Sequence, residues 1–238
     1  MSAAAEGFVV APPPVPSVAV AGQAERFPVR RIFCVGRNYA AHAREMGNDP
    51  EREPPFFFTK PADAVVGSGE EIVYPPLTRA LHHEAELVVA IGRGGADIPE
   101  SASLEHVWGY GAGNDLTRRD LQDAAKALRR PWDWGKAFDR SAVIGPLRPV
   151  VQAGHPASGA ITCTVNGALR QAGDLEEMIW SVPEIIAILS RAVTLAPGDL
   201  VMTGTPAGVG PLEPGDRCEV EIEGVGIATS LILPPPAA

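Results

Sequence analysis

Hydrophobic and polar positions alternate in several short segments of the chain, and this period of two is typical of β-strands. Residues 84–91 show it best, because Glu84 and Glu86 fall on one face while apolar side chains fill the other. Residues 31–36 are mostly apolar and end at a glycine, which predicts a buried strand. Asn166-Gly167 is the strongest hairpin signal in the chain. The same reasoning predicts strands over 56–59, 161–165, 168–171, 200–203, 218–222 and 227–233.

Three other segments have helical spacing. Residues 38–46 are rich in alanine, which favours a short helix. Residues 115–130 predict a longer helix with Asp115 as its N-cap, and its apolar positions share one face: Leu121, Ala124, Ala125 and Leu128. Ser181 and Glu184 form a capping box that begins a third helix. The chain is therefore expected to be α+β and β-rich, closer to a rolled β-sandwich than to a doubly wound sheet.

Length and composition limit the alternatives. A chain of 238 residues, at about 150 residues per domain, fits one large domain over 29–238. The proline-rich residues 1–28 predict an extended arm or a small N-terminal strand piece. The net charge of −9 disfavours nucleic acid as a partner. No apolar run is long enough to predict a membrane span, and no secretory signal is evident. Three separated cysteines favour a reducing compartment, so a cytoplasmic protein is expected.

The chemistry concentrates around two carboxylates. Glu84 and Glu86 project side by side, and two carboxylates repel each other unless a cation lies between them. They predict a site for Mg²⁺, Mn²⁺ or Ca²⁺, although His82 and His83 leave a softer metal open, and a solvated acidic strand face is the alternative. Asp115 is a candidate third ligand, with a plain helix cap as its alternative.

Other polar positions allow both a functional and an ordinary interpretation. His42 and Glu45 share a helix face, as a general base and its orienting carboxylate would, or as a surface pair would. Lys60 and Lys136 could pair with a substrate anion or remain solvated. The loop 203–210 could offer N–H groups and a hydroxyl to a carboxylate, or be a simple turn. Four arginines on the helix over 115–130 could contact a second carboxylate of the substrate, but such a group is usually a solvated face: Arg118, Arg119, Arg129 and Arg130.

Seven motifs occur in one order: GRNYAAHAREMG, FFFTKPADAVVG, LHHEAELVVAIG, GYGAGNDLTRRDLQ, GKAFD, VNGALRQ, and TGTPAGVG followed by PGD. Together they resemble the fumarylacetoacetate hydrolase superfamily over about residues 30–233. Within it, the chain is similar to the acylpyruvate hydrolases, and FPVRRIFCVGRNYAAHAREMG with RPWDWGKAFD look most like the fumarylpyruvate hydrolases.

The resemblance implies a β-sandwich roll, a homodimer, and one Mg²⁺ or Mn²⁺ in each subunit. Residues that match the superfamily's site fall into five groups. Glu84, Glu86 and Asp115 match metal ligands, and His42 with Glu45 matches a water-activating dyad on a lid helix. Lys136 and Gln122 match groups that face the substrate, Arg37 and Thr205 match positions that hold its carboxylate, and Lys60 supports the site.

The expected reaction is hydrolysis of the C–C bond of a 2,4-dioxo acid, most simply fumarylpyruvate to fumarate and pyruvate, in gentisate-type aromatic catabolism. The His–Glu dyad would activate water, and the metal would stabilise the pyruvate enolate. Oxaloacetate decarboxylation, general acylpyruvase activity, and isomerase or hydratase action on a related dioxo acid are the alternatives. A metal-stabilised binding protein without catalysis is a fourth.

Overall fold

The computed structural model describes residues 7–45 and 53–236, apart from the side chains of residues 43–45. Its strands are β1 Ser17–Ala19, β2 Arg26–Pro28, β3 Arg31–Gly36, β4 Phe56–Lys60, β5 Val65–Gly67, β6 Glu71–Val73, β7 Leu81–His83, β8 Ala85–Ile91, β9 Val107–Asp115, β10 Thr117–Arg118, β11 Ala142–Ile144, β12 Arg148–Pro149, β13 Ala160–Val165, β14 Ala168–Asp174, β15 Asp199–Met202, β16 Gly210–Pro211, β17 Arg217–Ile222 and β18 Gly226–Leu233. Its α-helices are α1 Ala40–Glu45, α2 Arg119–Ala127, α3 Asp133–Lys136, α4 Val150–Ala153 and α5 Val182–Ala192. Three short 3₁₀ helices cover Ala62–Ala64, Glu100–His106 and Leu175–Glu177.

Two sheets enclose the main core. The larger has the strand order β4-β3-β15-β8-β9-β11-β5, with β12 paired to β9, and the second has the order β14-β13-β17-β18-β6. Apolar side chains of β8 pack in one cluster with those of β13, β17, β18 and α5. The mixed, mostly antiparallel pairing and the few helices confirm the predicted α+β, β-rich sandwich.

The alternation predicted for residues 84–91 is confirmed, with β8 beginning one residue later. Leu87 and Val89 belong to the main core between the sheets. Val88 and Ala90 belong to a second core on the opposite face of the large sheet. Because both faces of this strand are buried, the carboxylates at its beginning enter a buried environment as well.

The N-terminal segment covers that second core. Strands β1 and β2 pair antiparallel, and Val18 and Phe27 are buried against the outer face of the large sheet. The prediction of an extended arm or small strand piece covers this hairpin, while the domain boundary after residue 28 stays a prediction. No helix in the described ranges is long and apolar enough to cross a membrane.

The helix predicted over 115–130 is wrong at its beginning. Residues 107–115 form strand β9, residues 117–118 pair with β7, and α2 begins only at Arg119. Arg118, not Asp115, is the N-cap residue. Ladder hydrogen bonds with two neighbouring strands outweigh the local helical preference of this segment, and Asp115 therefore ends a strand.

The face that α2 buries is also the reverse of the predicted one. Arg119 and Gln122 are buried, whereas Leu128 is 59% exposed and Ala124 is exposed. The inward side of this helix carries polar groups because they find ionic and hydrogen-bonding partners inside, as described below.

Glycines on β9 allow close packing on one side of the strand. A Cβ at Gly109 would lie 2.5 Å from the carbonyl oxygen of Arg148, and a Cβ at Gly113 would lie 2.5 Å from Cγ2 of Val88. Atoms of Arg148 and Val88 in the neighbouring strands, rather than a ligand, therefore occupy the space beside these glycines.

Several local predictions are confirmed. The hairpin β13–β14 turns at Asn166 and Gly167, which have φ of 52° and 78°, as a type I′ turn requires. The capping box of α5 is present, with Glu184 accepting from the backbone of Ser181 at 2.9 Å. Helix α1 lies within the predicted 38–46, of which Met46 is outside the described residues.

We expect Gly109→Ala to lower the free energy of unfolding by about 1–3 kcal/mol, because the new methyl group meets the rigid backbone of β12. Urea unfolding followed by circular dichroism measures this. Gly210→Ala is the matched control, since its Cβ would meet only Nε2 of His83 at an ordinary 3.4 Å. Equal stability of the two variants would contradict the packing role of the β9 glycines.

Candidate active site

Three buried carboxylates meet where β8 begins and β9 ends. Glu84 lies between β7 and β8, Glu86 is on β8, and Asp115 is the last residue of β9. The two strands are antiparallel, and the N–H of Asp115 donates to the carbonyl of Glu84 at 2.9 Å. One carboxylate oxygen from each residue lies within 4.8 Å of the others. The sequence prediction of their proximity is therefore confirmed by the fold.

Buried cations surround this acidic triad, which is Glu84, Glu86 and Asp115. Lys136 Nζ donates to Glu84 Oε2 at 2.8 Å and to Asp115 Oδ2 at 2.7 Å. Lys60 Nζ lies 2.8 Å from Asp115 Oδ1, and Arg119 donates to Glu84 Oε1. Each of these charges offsets the cost of burying a carboxylate beside it.

The backbone of the loop 203–210 donates a hydrogen bond to the third carboxylate, Glu86. The N–H of Gly204 donates to Glu86 Oε2 at 2.7 Å. The loop therefore offers an N–H group to a carboxylate, as its sequence allows, but this carboxylate belongs to the protein. Thr205 accepts from Gln171 Nε2 at 2.8 Å, which holds the loop against β14.

The charges inside the triad are unevenly balanced. Burial and the charges of Asp115 and Glu84 hold the pKa of Glu86 well above its usual value. The pKa of Glu84 is held far below its usual value, because Lys136 and Arg119 outweigh the effect of burial. Burial alone would lower the pKa of Lys136, but Asp115 and Glu84 raise it. Glu86 is therefore the carboxylate of the triad whose charge the surrounding cations stabilise least.

This donor set fits a hard divalent cation. Three carboxylates within reach of one point are the oxygen ligands that Mg²⁺ and Mn²⁺ prefer. The neighbouring histidines do not join the cluster among the described residues; Nδ1 of His83 lies 2.9 Å from Oε1 of Gln171 instead. The softer metal that the sequence left open is thus not favoured by the geometry.

Five other predicted side chains line one cavity of about 30 Å³ together with Glu84 and Glu86: Arg37, His42, Gln122, Lys136 and Thr205. Asp115 and Lys60 are not among the residues that line it. His42 is buried on α1 at its edge. The substrate-facing candidates lie on four separate segments around it: Arg37, Gln122, Lys136 and Thr205. The side chain of Glu45 lies outside the described residues, so its pairing with His42 stays a prediction. The roles of all these side chains stay predictions too, while their proximity is a fact of the fold.

Arg119 is the site residue that sequence reasoning missed. Four arginines read as a solvated face, yet Arg119 is buried, contacts Glu84, and donates to Gln122 Oε1 at 2.6 Å. Arg118 is buried as well, over the ring of Phe138 at 4.3 Å. The signal that could have found Arg119 is its spacing of three from Gln122, which puts both on one helix face.

A family model places this architecture among known proteins. Residues 31–232 match the model described as the C-terminal domain of fumarylacetoacetate (FAA) hydrolase. The chain belongs to the fumarylacetoacetate hydrolase family. The described acidic triad, Lys136 and His42 all lie inside the matched residues.

Members of the fumarylacetoacetate hydrolase family with different activities are similar to this chain. Fumarylpyruvate hydrolase from Pseudomonas aeruginosa, crystallised with Mn²⁺ and pyruvate, is 55% identical with a TM-score of 0.93, and the match covers 95% of this chain and 99% of that one. Mitochondrial oxaloacetate tautomerase from Homo sapiens is 41% identical over 82% of this chain and 88% of its own. A 5-carboxymethyl-2-hydroxymuconate delta-isomerase from Mycobacterium smegmatis is 34% identical with a TM-score of 0.80, over 89% of this chain and 82% of that one.

We expect Glu86→Gln to weaken Mn²⁺ binding at least about tenfold, because the change removes an anionic oxygen from the triad. Isothermal titration with Mn²⁺ measures the affinity. Because burial and its neighbours already disfavour the charged form of Glu86, the metal-free variant should unfold no more easily than the parent. Exposed Glu176→Gln is the control, and unchanged Mn²⁺ affinity in Glu86→Gln would remove this residue from the ligand set.

Proposed function

We propose that this protein is a divalent-metal-dependent hydrolase that cleaves the C–C bond of a 2,4-dioxo acid, with fumarylpyruvate as substrate and fumarate and pyruvate as products. The observation that carries the proposal is the placement of a buried histidine, His42, in the same cavity as Lys136 and two carboxylates of the acidic triad, Glu84 and Glu86. The 55% identity with a fumarylpyruvate hydrolase that holds Mn²⁺ and pyruvate supports this substrate. Breakdown of aromatic compounds is the setting we propose for it.

His42 is the proposed general base. It takes a proton from a water molecule, which attacks the C4 carbonyl of the substrate. The C3–C4 bond then breaks, a carboxylic acid group of fumarate forms at C4, and the electron pair of the bond passes to the other product as the enolate of pyruvate. The carboxylic acid group then ionises and releases the second proton of the water. Return of the proton to C3 completes pyruvate, so that one water is consumed in each turnover. Glu45 is proposed to orient His42.

Polar groups around the triad hold the substrate. Arg37 and Thr205 are proposed to bind the carboxylate at C1, and Gln122 to face the neighbouring oxygen. Lys136 Nζ, fixed by Glu84 and Asp115, is positioned to stabilise the negative charge of the enolate. A cation held by the triad would supply further positive charge for the same oxygen.

Proton transfer on oxaloacetate is the second candidate function. The oxaloacetate tautomerase from Homo sapiens is 41% identical to this chain over 82% of its length. Such a reaction passes through an enolate as well, but it needs only a base and an acid and no attacking water. Decarboxylation of oxaloacetate would share the enolate and likewise consume no water.

We expect the wild-type protein with Mn²⁺ or Mg²⁺ to abolish the ultraviolet absorbance of fumarylpyruvate and release equal amounts of fumarate and pyruvate. A chelator should stop the reaction. Acetylpyruvate and oxaloacetate are assayed in parallel as comparison substrates. Turnover of oxaloacetate alone would contradict the proposed hydrolysis and favour the second candidate.

Replacing His42 with Ala should lower the turnover of fumarylpyruvate by about 10²–10⁴-fold, which is what general-base assistance is worth. Affinity for Mn²⁺ should survive, because His42 is not part of the acidic triad. Single-turnover kinetics together with titration of the metal separates the two effects. Unchanged turnover would remove His42 from the mechanism.

We also propose that the protein forms a homodimer, which the resemblance to the family supports. A cytoplasmic location is proposed as well, and the three cysteines, which are free and buried, support it. Light scattering during gel filtration would detect the dimer.

A further inference from the structure

Helix α2 carries a polar stripe into the active-site cavity. Arg119, Gln122 and Lys126 are spaced by three and by four residues, so they lie on one side of the helix. All three line the same cavity as Glu84 and Glu86. The stripe spans about 10 Å along the helix axis, and Lys126 is its outermost member.

Lys126 differs from the other cations of this cavity in the partner it has. Arg119 and Lys136 both bind Glu84 inside the site. Among the described residues, Lys126 pairs with Asp123 at 3.2 Å, and the side chain of Asp123 is 55% exposed. An exposed pair one helical turn apart is weak and easily exchanged for another anion. Burial lowers the pKa of Lys126 despite Asp123, so its ammonium group is partly shielded from water.

An aromatic wall connects Lys126 with the inner part of the site. Lys126 Nζ lies 5.4 Å from the centre of the Trp132 ring, and the Trp132 and Phe58 rings lie 5.6 Å apart. Phe58 in turn lies 5.1 Å from Lys136 Nζ. The order from inside to outside is therefore a cation, two aromatic rings and a second cation. The two rings are tilted by 55° to each other, and each offers an apolar face against which part of a planar, conjugated chain can pack.

The cavity is small, about 30 Å³, and Phe58, Trp132 and Lys126 line it together with Glu84 and Glu86. A dioxo acid whose carboxylate end lies at these two carboxylates therefore directs its acyl end along α2, toward Trp132 and Lys126. We propose that Lys126 binds a carboxylate at the far end of the acyl group while Trp132 and Phe58 pack against the planar chain between. This subsite makes the protein selective for acylpyruvates whose acyl group ends in an anion. The inference rests on the proposed function, since it specifies the substrate of the same site.

Arg130 is a competing cation close to the aromatic wall and provides a matched control. It is exposed and lines an adjoining groove of about 440 Å³, which shares Phe58, Trp132 and Lys136 with the cavity. Arg130 does not line the cavity of the triad itself. A carboxylate bound at Lys126 would leave Arg130 without a role in selectivity.

The test compares fumarylpyruvate with acetylpyruvate, which lacks the second carboxylate. Lys126→Met should lower kcat/KM for fumarylpyruvate by about 10–100-fold more than for acetylpyruvate, as the loss of a charge-assisted contact predicts. The loss should appear in KM, because the contact is remote from the breaking bond. Lys126→Arg should restore most of the preference, and Arg130→Ala should leave the ratio as in the wild type.

Direct binding keeps the inference separate from the proposed reaction. Affinities for the two dioxo acids are measured in the Mn²⁺-loaded His42→Ala protein, with and without Lys126→Met. The subsite is supported if fumarylpyruvate binds more tightly than acetylpyruvate and Lys126→Met removes this difference. This result supports the subsite even where the wild type cleaves neither compound and the proposed function fails. Equal losses for both ligands, loss of preference in Arg130→Ala, or no preference in the Lys126-containing protein would overturn the inference, even where the wild type cleaves fumarylpyruvate.

Discussion

Three carboxylates buried within one small volume are the constraint on which the rest of this structure depends. Each would be expensive to bury alone, and together they repel one another. The fold meets this cost with Lys136 between two of them, with Lys60 and Arg119 on the outer oxygens, and with a backbone N–H on the third. These partners come from four separate parts of the chain, so the acidic triad forms only when the large sheet and α2 are both in place.

Local patterns predicted most of what lies around this centre. The period of two in residues 84–91 was sufficient to put Glu84 and Glu86 on one face, because a side chain's direction in a strand follows from sequence position alone. The Asn166-Gly167 turn and the capping box at Ser181 are equally local, since their hydrogen bonds close within a few residues. Such features are independent of what the rest of the chain does.

The errors arose where distant partners decide the structure. Asp115 has a good N-cap side chain, but pairing of β9 with β8 and β11 extends that segment through it. Arg119 resembles any surface arginine in sequence, and only the position of Glu84 makes its burial favourable. The order of seven motifs carried the family assignment, because motif order reflects common ancestry and requires no knowledge of these long-range contacts.

Helix α2 shows how the demand for charge at the site changes packing elsewhere. An ordinary surface helix turns its apolar stripe inward. Here the inward positions are taken by Arg119 and Gln122, because an apolar side chain there would leave Glu84 without its outer partner. Leu128 on the opposite side is consequently exposed. The reversed helix gives up hydrophobic burial and gains a row of polar groups that begins at the triad and leads outward, which is the direction a substrate must take.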